Sequence, residues 1–188
     1  MARAFSDLGY SVGNQRKAEL LADKYYFDNN FDPVIEYCNS AQVFQDIPFS
    51  WPETWKHLDQ AFPGSKFILT LRDDAEQWYQ SVTRFHGKLF GQNGNTPTAD
   101  DLRNADYVRK GFMYNTVKVH GTPEHDPYNK EIMIAHYERY NRDVIAYFSN
   151  RPDDLLIINV AEPGAYQHFV SFLGVQSSAT DFPWENRT

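Results

Sequence analysis

Cysteine is almost missing from this sequence: Cys38 is the only one among 188 residues. No intrachain disulfide can form, which favours a reducing compartment, here expected to be the cytoplasm. Positive charge is short as well, with 18 Lys and Arg against 25 Asp and Glu and a formal net charge of -7. Proteins that coat nucleic acid or anionic membranes usually carry a basic face, so the balance argues against both, although a local basic pocket remains compatible with it. No apolar run is long enough to cross a bilayer, and the first residues do not form a signal peptide. Internal repeats and low-complexity segments are absent too.

What is present suits a globular chain. The residues are 41% hydrophobic and 16% aromatic, and the length fits one domain with a core of its own. Ala2 to Leu8 has helix-forming composition and stops at Gly9; Tyr10 to Val12 then reads as a short strand. Gln15 to Tyr26 and Pro33 to Cys38 read as helices, Ala41 to Ile47 as a strand, and Trp51 to Phe62 as an amphipathic helix closed by Pro63-Gly64. Lys66 to Leu71 is the clearest strand, because its near-continuous apolar run suits a parallel strand covered on both faces. Asp74 with Gln77 three positions on forms a capping-box pattern for a helix to about Phe85. A helix is expected from Ala99 to about Lys118, and Asp126-Pro127 opens a long one that carries Met133, Tyr137, Tyr140, Val144 and Phe148. Leu155 to Val160 is a second buried-type strand, and Tyr166 to Leu173 a helix closed by Gly174.

Strands separated by helices predict an α/β fold with a mainly parallel sheet, in which ligands gather at the carboxyl ends of strands. Arg72 stands at that end of the best strand. A guanidinium there either grips a phosphate or carboxylate in a two-point fork, or forms a surface ion pair with Asp73 or Glu76. Ser81 shares a helix face with Trp78, Val82 and Phe85, where its hydroxyl needs a partner: the carbonyl one turn earlier, or a ligand phosphate that Arg72 also touches.

The block A-F-P-G-S-K-F-I-L-T-L-R-D-D-A-E-Q-W-Y-Q-S resembles the signature with which sulfotransferases hold the 3′-phosphate of 3′-phosphoadenosine 5′-phosphosulfate (PAPS). The resemblance implies that Arg72 and Ser81 grip that phosphate. They stand nine positions apart, one more than the common pattern, and the extra residue is expected in the Asp73-Asp74-Ala75 turn. Ala2 to Gly9 is similar to the helix after the family's phosphate loop, with Leu8-Gly9-Tyr10 as its strand entry. Phe44-Gln45-Asp46-Ile47-Pro48 looks like the strand end that offers a general base, and Leu155 to Gly174 with Phe182-Pro183-Trp184 resembles the last strand and helix. The likeness is weakest from Gly87 to about Lys130, expected to form a helical acceptor-side insertion in one sulfotransferase-like domain.

The family's opening strand and its Gly-Lys-Thr/Ser-rich phosphate loop have no counterpart in these residues. Ala2-Arg3-Ala4-Phe5 reads as mid-helix without a cap, so the expectation is a segment upstream of Met1 that supplies both.

Sulfuryl transfer needs aligned reactants, removal of a proton and stabilisation of charge on the departing phosphate. The resemblance makes Asp46 the candidate base; its other reading is to cap a turn or the Trp51 helix. Phe85, His86 and Phe90 either border an acceptor pocket or simply pack. The co-substrate implied is PAPS, the product adenosine 3′,5′-bisphosphate, and the acceptor a small molecule or glycan hydroxyl or amine. No metal is expected: His120 and His125 with Asp126 read as a solvated loop. Tyr137, Tyr140 and Tyr147 read as packing residues with hydroxyls at the helix edge. Asn186 and Arg187 in the tail either approach the nucleotide or fray. Two other classes stay open: a P-loop small-molecule kinase, which needs an upstream Walker loop and a magnesium-binding Ser/Thr, and a non-catalytic nucleotide- or partner-binding module on the same scaffold.

Overall fold

The computed structural model describes residues 1–183. The described residues divide into two compact units: 1–70 together with 150–183, and 71–149.

The first unit is built on a parallel pair of strands. β1 (Phe67–Thr70) and β2 (Leu155–Ile158) align Phe67 with Leu155 and Thr70 with Ile158. Parallel strands require a crossover, and here the whole stretch 71–149 is strung between them. Ile68, Leu156 and Ile158 turn one face of the pair onto α1 (Ala2–Asp7) and α9 (Ala165–Leu173), where Ala4, Phe5, Ala165, Tyr166 and Phe169 form the core. Phe5 meets Phe169 edge to face at 4.9 Å, the arrangement that ring quadrupoles favour. This is the α/β layering expected, a parallel sheet with helices packed on it.

Two expected strands shrink to a single bridge. The ladder between Tyr10–Val12 and Ala41–Ile47 is one isolated parallel bridge, Val12 with Val43. The Gln42 side chain supplies the acceptor for the Ser11 N–H at 3.0 Å, and the left-handed backbone of Asp46 (φ 57°) then turns the chain away. Ladder growth stops on both sides. Helix α2 (Gln15–Tyr25) begins where Asn14 Oδ1 accepts the Lys17 N–H at 3.0 Å, and α3 (Asp32–Tyr37) follows. Helix α4 runs Thr54–Ala61, shorter than the expected Trp51 to Phe62, because Glu53 adopts a left-handed conformation at φ 67°. Asp59 of α4 is buried and takes a two-point fork from Arg151, at 2.9 and 2.8 Å.

The second unit is helical. Helix α5 (Ala75–Phe90) continues past the expected end at Phe85, through Gly87, where the returning 92–95 turn comes so close that a Cβ would stand 2.7 Å from the Gly94 carbonyl oxygen. Helix α6 (Ala99–Asn104) opens on a Thr98–Asp101 capping box. The single helix expected from Ala99 to Lys118 is broken here: Asp106 and Lys110 form an antiparallel bridge, Gly111 turns left-handed at φ 78°, and a 3-10 turn leads into α7 (Asn115–His120). Helix α8 (Lys130–Phe148) starts after Asp126-Pro127, not at it, because Asn129 takes the capping role and accepts the Ile132 N–H at 3.1 Å. Leu102, Phe112, Met113, Val117 and Met133 are buried in this unit. Among the described residues no helix is long and apolar enough to cross a membrane.

Candidate functional site

Past Thr70 the backbone leaves the ladder and bends at Asp73-Asp74 before α5 begins. Both acids serve this turn. Asp74 Oδ1 caps the helix by accepting the Gln77 N–H at 2.7 Å. The Gln77 side chain reaches back, accepting the Asp73 N–H at 3.1 Å and donating to Asp73 Oδ2 at 2.5 Å. Glu76 pairs with Lys130 at 2.7 Å and accepts from Gln80 at 2.9 Å, and its carboxyl is held below the usual range by those bonds.

Arg72 stands just before this turn. Neither Asp73 nor Glu76 takes its guanidinium; among the described residues, the partner of that group is Ser81, whose Oγ accepts from Nη2 at 3.4 Å. The contact is at the long end of the hydrogen-bond range, so it is weak by itself. Arg72 is exposed and Ser81 half-buried. Nor does Ser81 bond back to the carbonyl one turn earlier, as Thr83 does to the Tyr79 carbonyl at 2.9 Å. Between Arg72 and Ser81 stands the Asp73-Asp74 bend. A guanidinium with most of its donors open to solvent thus stands beside a hydroxyl whose proton is free to donate. That pairing suits one anionic ligand.

The backbone N–H of Arg72 has a partner that the sequence did not suggest. It donates to the hydroxyl of Tyr137 on α8 at 3.1 Å, and the Tyr137 ring stacks on Trp78 with centroids 4.6 Å apart and planes 15° from parallel. Spacing along α8 marks Tyr137 as apolar packing; nothing in it signals contact with a loop end on another element.

Asp46 belongs to the first unit. Its carbonyl accepts the Ser50 N–H at 2.7 Å, but its carboxylate does not cap α4, whose preceding residue is Glu53. Among the described residues, its carboxylate receives one hydrogen bond, a long one of 3.5 Å from Gln45 Nε2. Crowding by surrounding protein lifts its pKa above the ordinary aspartate value, against the pull of the chain's amino group and Gln45. An aspartate so placed is a stronger proton acceptor than a solvated one.

Phe85, His86 and Phe90 lie on α5 itself and not beyond its end. Phe85 is 39% exposed, and His86 and Phe90 are half-buried, their rings edge to face at 5.6 Å. His86 Nδ1 and the Tyr128 hydroxyl are 2.8 Å apart, and burial pushes the imidazole pKa down to about 4, so the ring is neutral at pH 7. Tyr128 also receives the Tyr79 hydroxyl on its carbonyl at 3.0 Å, and it lines an open cleft of about 220 Å³ with Thr96, Thr98, His125 and Asp126.

His120 does not lie in a solvated loop: it ends α7, its ring meets His136 at 4.9 Å, and burial depresses its pKa to about 3, with His136 and His86 adding to the shift. Among the described residues, no three His, Cys, Asp or Glu side chains converge to hold a metal ion. Trp184, Asn186 and Arg187 lie outside the described residues.

No curated protein and no solved structure matches the chain significantly. Residues 3–188 match the family model described as the sulfotransferase domain, and the protein therefore belongs to the sulfotransferase domain family.

Proposed function

We propose that the protein transfers a sulfuryl group from PAPS to a hydroxyl or amine of a small molecule or glycan and releases adenosine 3′,5′-bisphosphate. One observation carries the reading: Arg72 and Ser81 stand 3.4 Å apart, clear of the ion pair and the carbonyl bond that would otherwise have occupied them. The 3′-phosphate of the nucleotide accepts from both, and the fork of the guanidinium fixes its orientation. Family membership supports sulfuryl transfer; the donor and the acceptor class are this proposal's own.

In the reaction, a lone pair on the acceptor oxygen or nitrogen attacks sulfur in line. The new bond forms as the bond from sulfur to the departing phosphate oxygen breaks, and that oxygen keeps the electron pair. Asp46 takes the acceptor proton, a role for which its raised pKa and uncapped carboxylate fit it. Phe85, His86 and Phe90, with the cleft beside Tyr128, form the acceptor side. His86 is neutral and bonded to Tyr128 there, so it orients and does not attract anions.

Calorimetric titration with adenosine 3′,5′-bisphosphate and with adenosine 5′-phosphate tests the assignment. The bisphosphate is expected to bind more tightly, and Arg72→Ala to remove about 1.5–3 kcal/mol of that advantage, the range for hydrogen bonds to charged groups. Equal affinity for the two nucleotides in the native protein overturns the reading.

A further inference from the structure

Tyr137 touches Arg72 at its backbone and Trp78, one turn before Ser81 on α5, at its ring. Its hydroxyl accepts the Arg72 backbone N–H at 3.1 Å, and its ring stacks on Trp78 at 4.6 Å. Trp78 precedes Ser81 by three positions, so both lie on the same side of α5, one turn apart. Behind Trp78 the column of rings continues, through the edge of His120 at 6.4 Å to His136 at 4.9 Å. Burial keeps both imidazoles neutral, so no charge in the column competes for the anion.

The consequence is geometric. β1 ends at Thr70, and the Arg72 N–H is therefore beyond the last rung of the ladder. Without a fixed acceptor, this backbone would sample several directions and the guanidinium would lose its aim at Ser81. We infer that Tyr137 is a positioning residue of the phosphate-binding pair, pinning the backbone at Arg72 to the Trp78 turn of α5 so that guanidinium and hydroxyl converge before the nucleotide arrives. The inference rests on the nucleotide reading above, and it adds a third residue to the site. Preorganisation of this kind raises affinity by removing an ordering cost at the moment of binding.

Tyr137→Phe removes the hydroxyl and keeps the stack, so it isolates the role. The expected result has three parts. Exchange of the Arg72 amide hydrogen quickens in the free protein. Affinity for adenosine 3′,5′-bisphosphate falls by roughly three- to tenfold, the worth of one neutral hydrogen bond. The melting temperature falls by no more than about 5 °C, the worth of that one bond, because packing is retained. Tyr137→Leu, which loses the stack as well, lowers affinity further. Native-like affinity and native-like exchange in Tyr137→Phe overturn the inference and spare the nucleotide reading, as does a loss of affinity matched by a general loss of stability. A native protein that ignores the 3′-phosphate overturns both.

Discussion

Nine positions of sequence separate Arg72 from Ser81, and the guanidinium still reaches the hydroxyl at 3.4 Å. The bend at Asp73-Asp74 between them is locked by three hydrogen bonds with Gln77. Two substitutions separate charge from shape here. Arg72→Lys keeps the charge and loses the planar fork, and is expected to weaken adenosine 3′,5′-bisphosphate binding by about tenfold; Ser81→Ala, losing one donor, by about threefold to tenfold. Calorimetry reads both. A lysine variant with native affinity would show that a point charge suffices.

Asp46→Asn is expected to lower turnover at least a hundredfold, the usual contribution of a general base, while binding of adenosine 3′,5′-bisphosphate stays native. The pH dependence has a definite sign. A base works deprotonated, so the rate rises with pH through the carboxyl pKa, which lies above the ordinary aspartate value. Steady-state rates with a generic phenol or amine acceptor, measured from acid to neutral pH, check this. Unchanged turnover in the asparagine variant removes Asp46 from the chemistry.

Stability should fall on mild acidification. His86 and His120 have folded pKa values of about 4 and about 3, below the 6.5 of a solvated imidazole. Between those limits the unfolded chain binds protons that the folded chain refuses, so the unfolded state gains as pH drops through 6.5. The loss is on the order of 2 kcal/mol per histidine between about pH 7.5 and pH 5. Urea midpoints at the two values measure it, and a flat profile would show the imidazoles to be solvated.

Gly91→Ala is expected to destabilise by about 1–3 kcal/mol, the cost of forcing a methyl group into a packed site. At Gly91 a Cβ would stand 1.8 Å from the Asn95 carbonyl oxygen, so the turn that closes α5 must open. The urea midpoint should drop with the slope unchanged. Native stability in this variant would mean that the 92–95 turn does not press on the helix end.

Much of this was legible in local sequence. The apolar runs that predict strands at Lys66–Leu71 and Leu155–Val160 become β1 and β2, and the glycine after Leu173 ends α9 as expected. Arg72 and Ser81 are paired on paper by the block's resemblance to the sulfotransferase signature; periodicity places one at a strand end and the other on a helix face, and leaves each with an ordinary alternative. What failed were places where a side chain replaced a backbone partner or a residue turned left-handed. Gln42 substituted for a ladder carbonyl at Ser11, and Asp46, Glu53 and Gly111 took positive φ values. Tyr137 was missed for a different reason. Its helical spacing is that of any buried ring, and its bond to Arg72 joins residues 65 positions apart, which no local pattern encodes.

The β1–β2 ladder has only four rungs, and everything from Leu71 to Ser149 hangs between its strands. The entropy of closing such an excursion grows only with the logarithm of its length, and doubling that length costs about 0.6 kcal/mol. Additions to this span are therefore thermodynamically cheap. Its length can change at little energetic cost, while a few rungs of ladder and one small aromatic core keep the two strands in register.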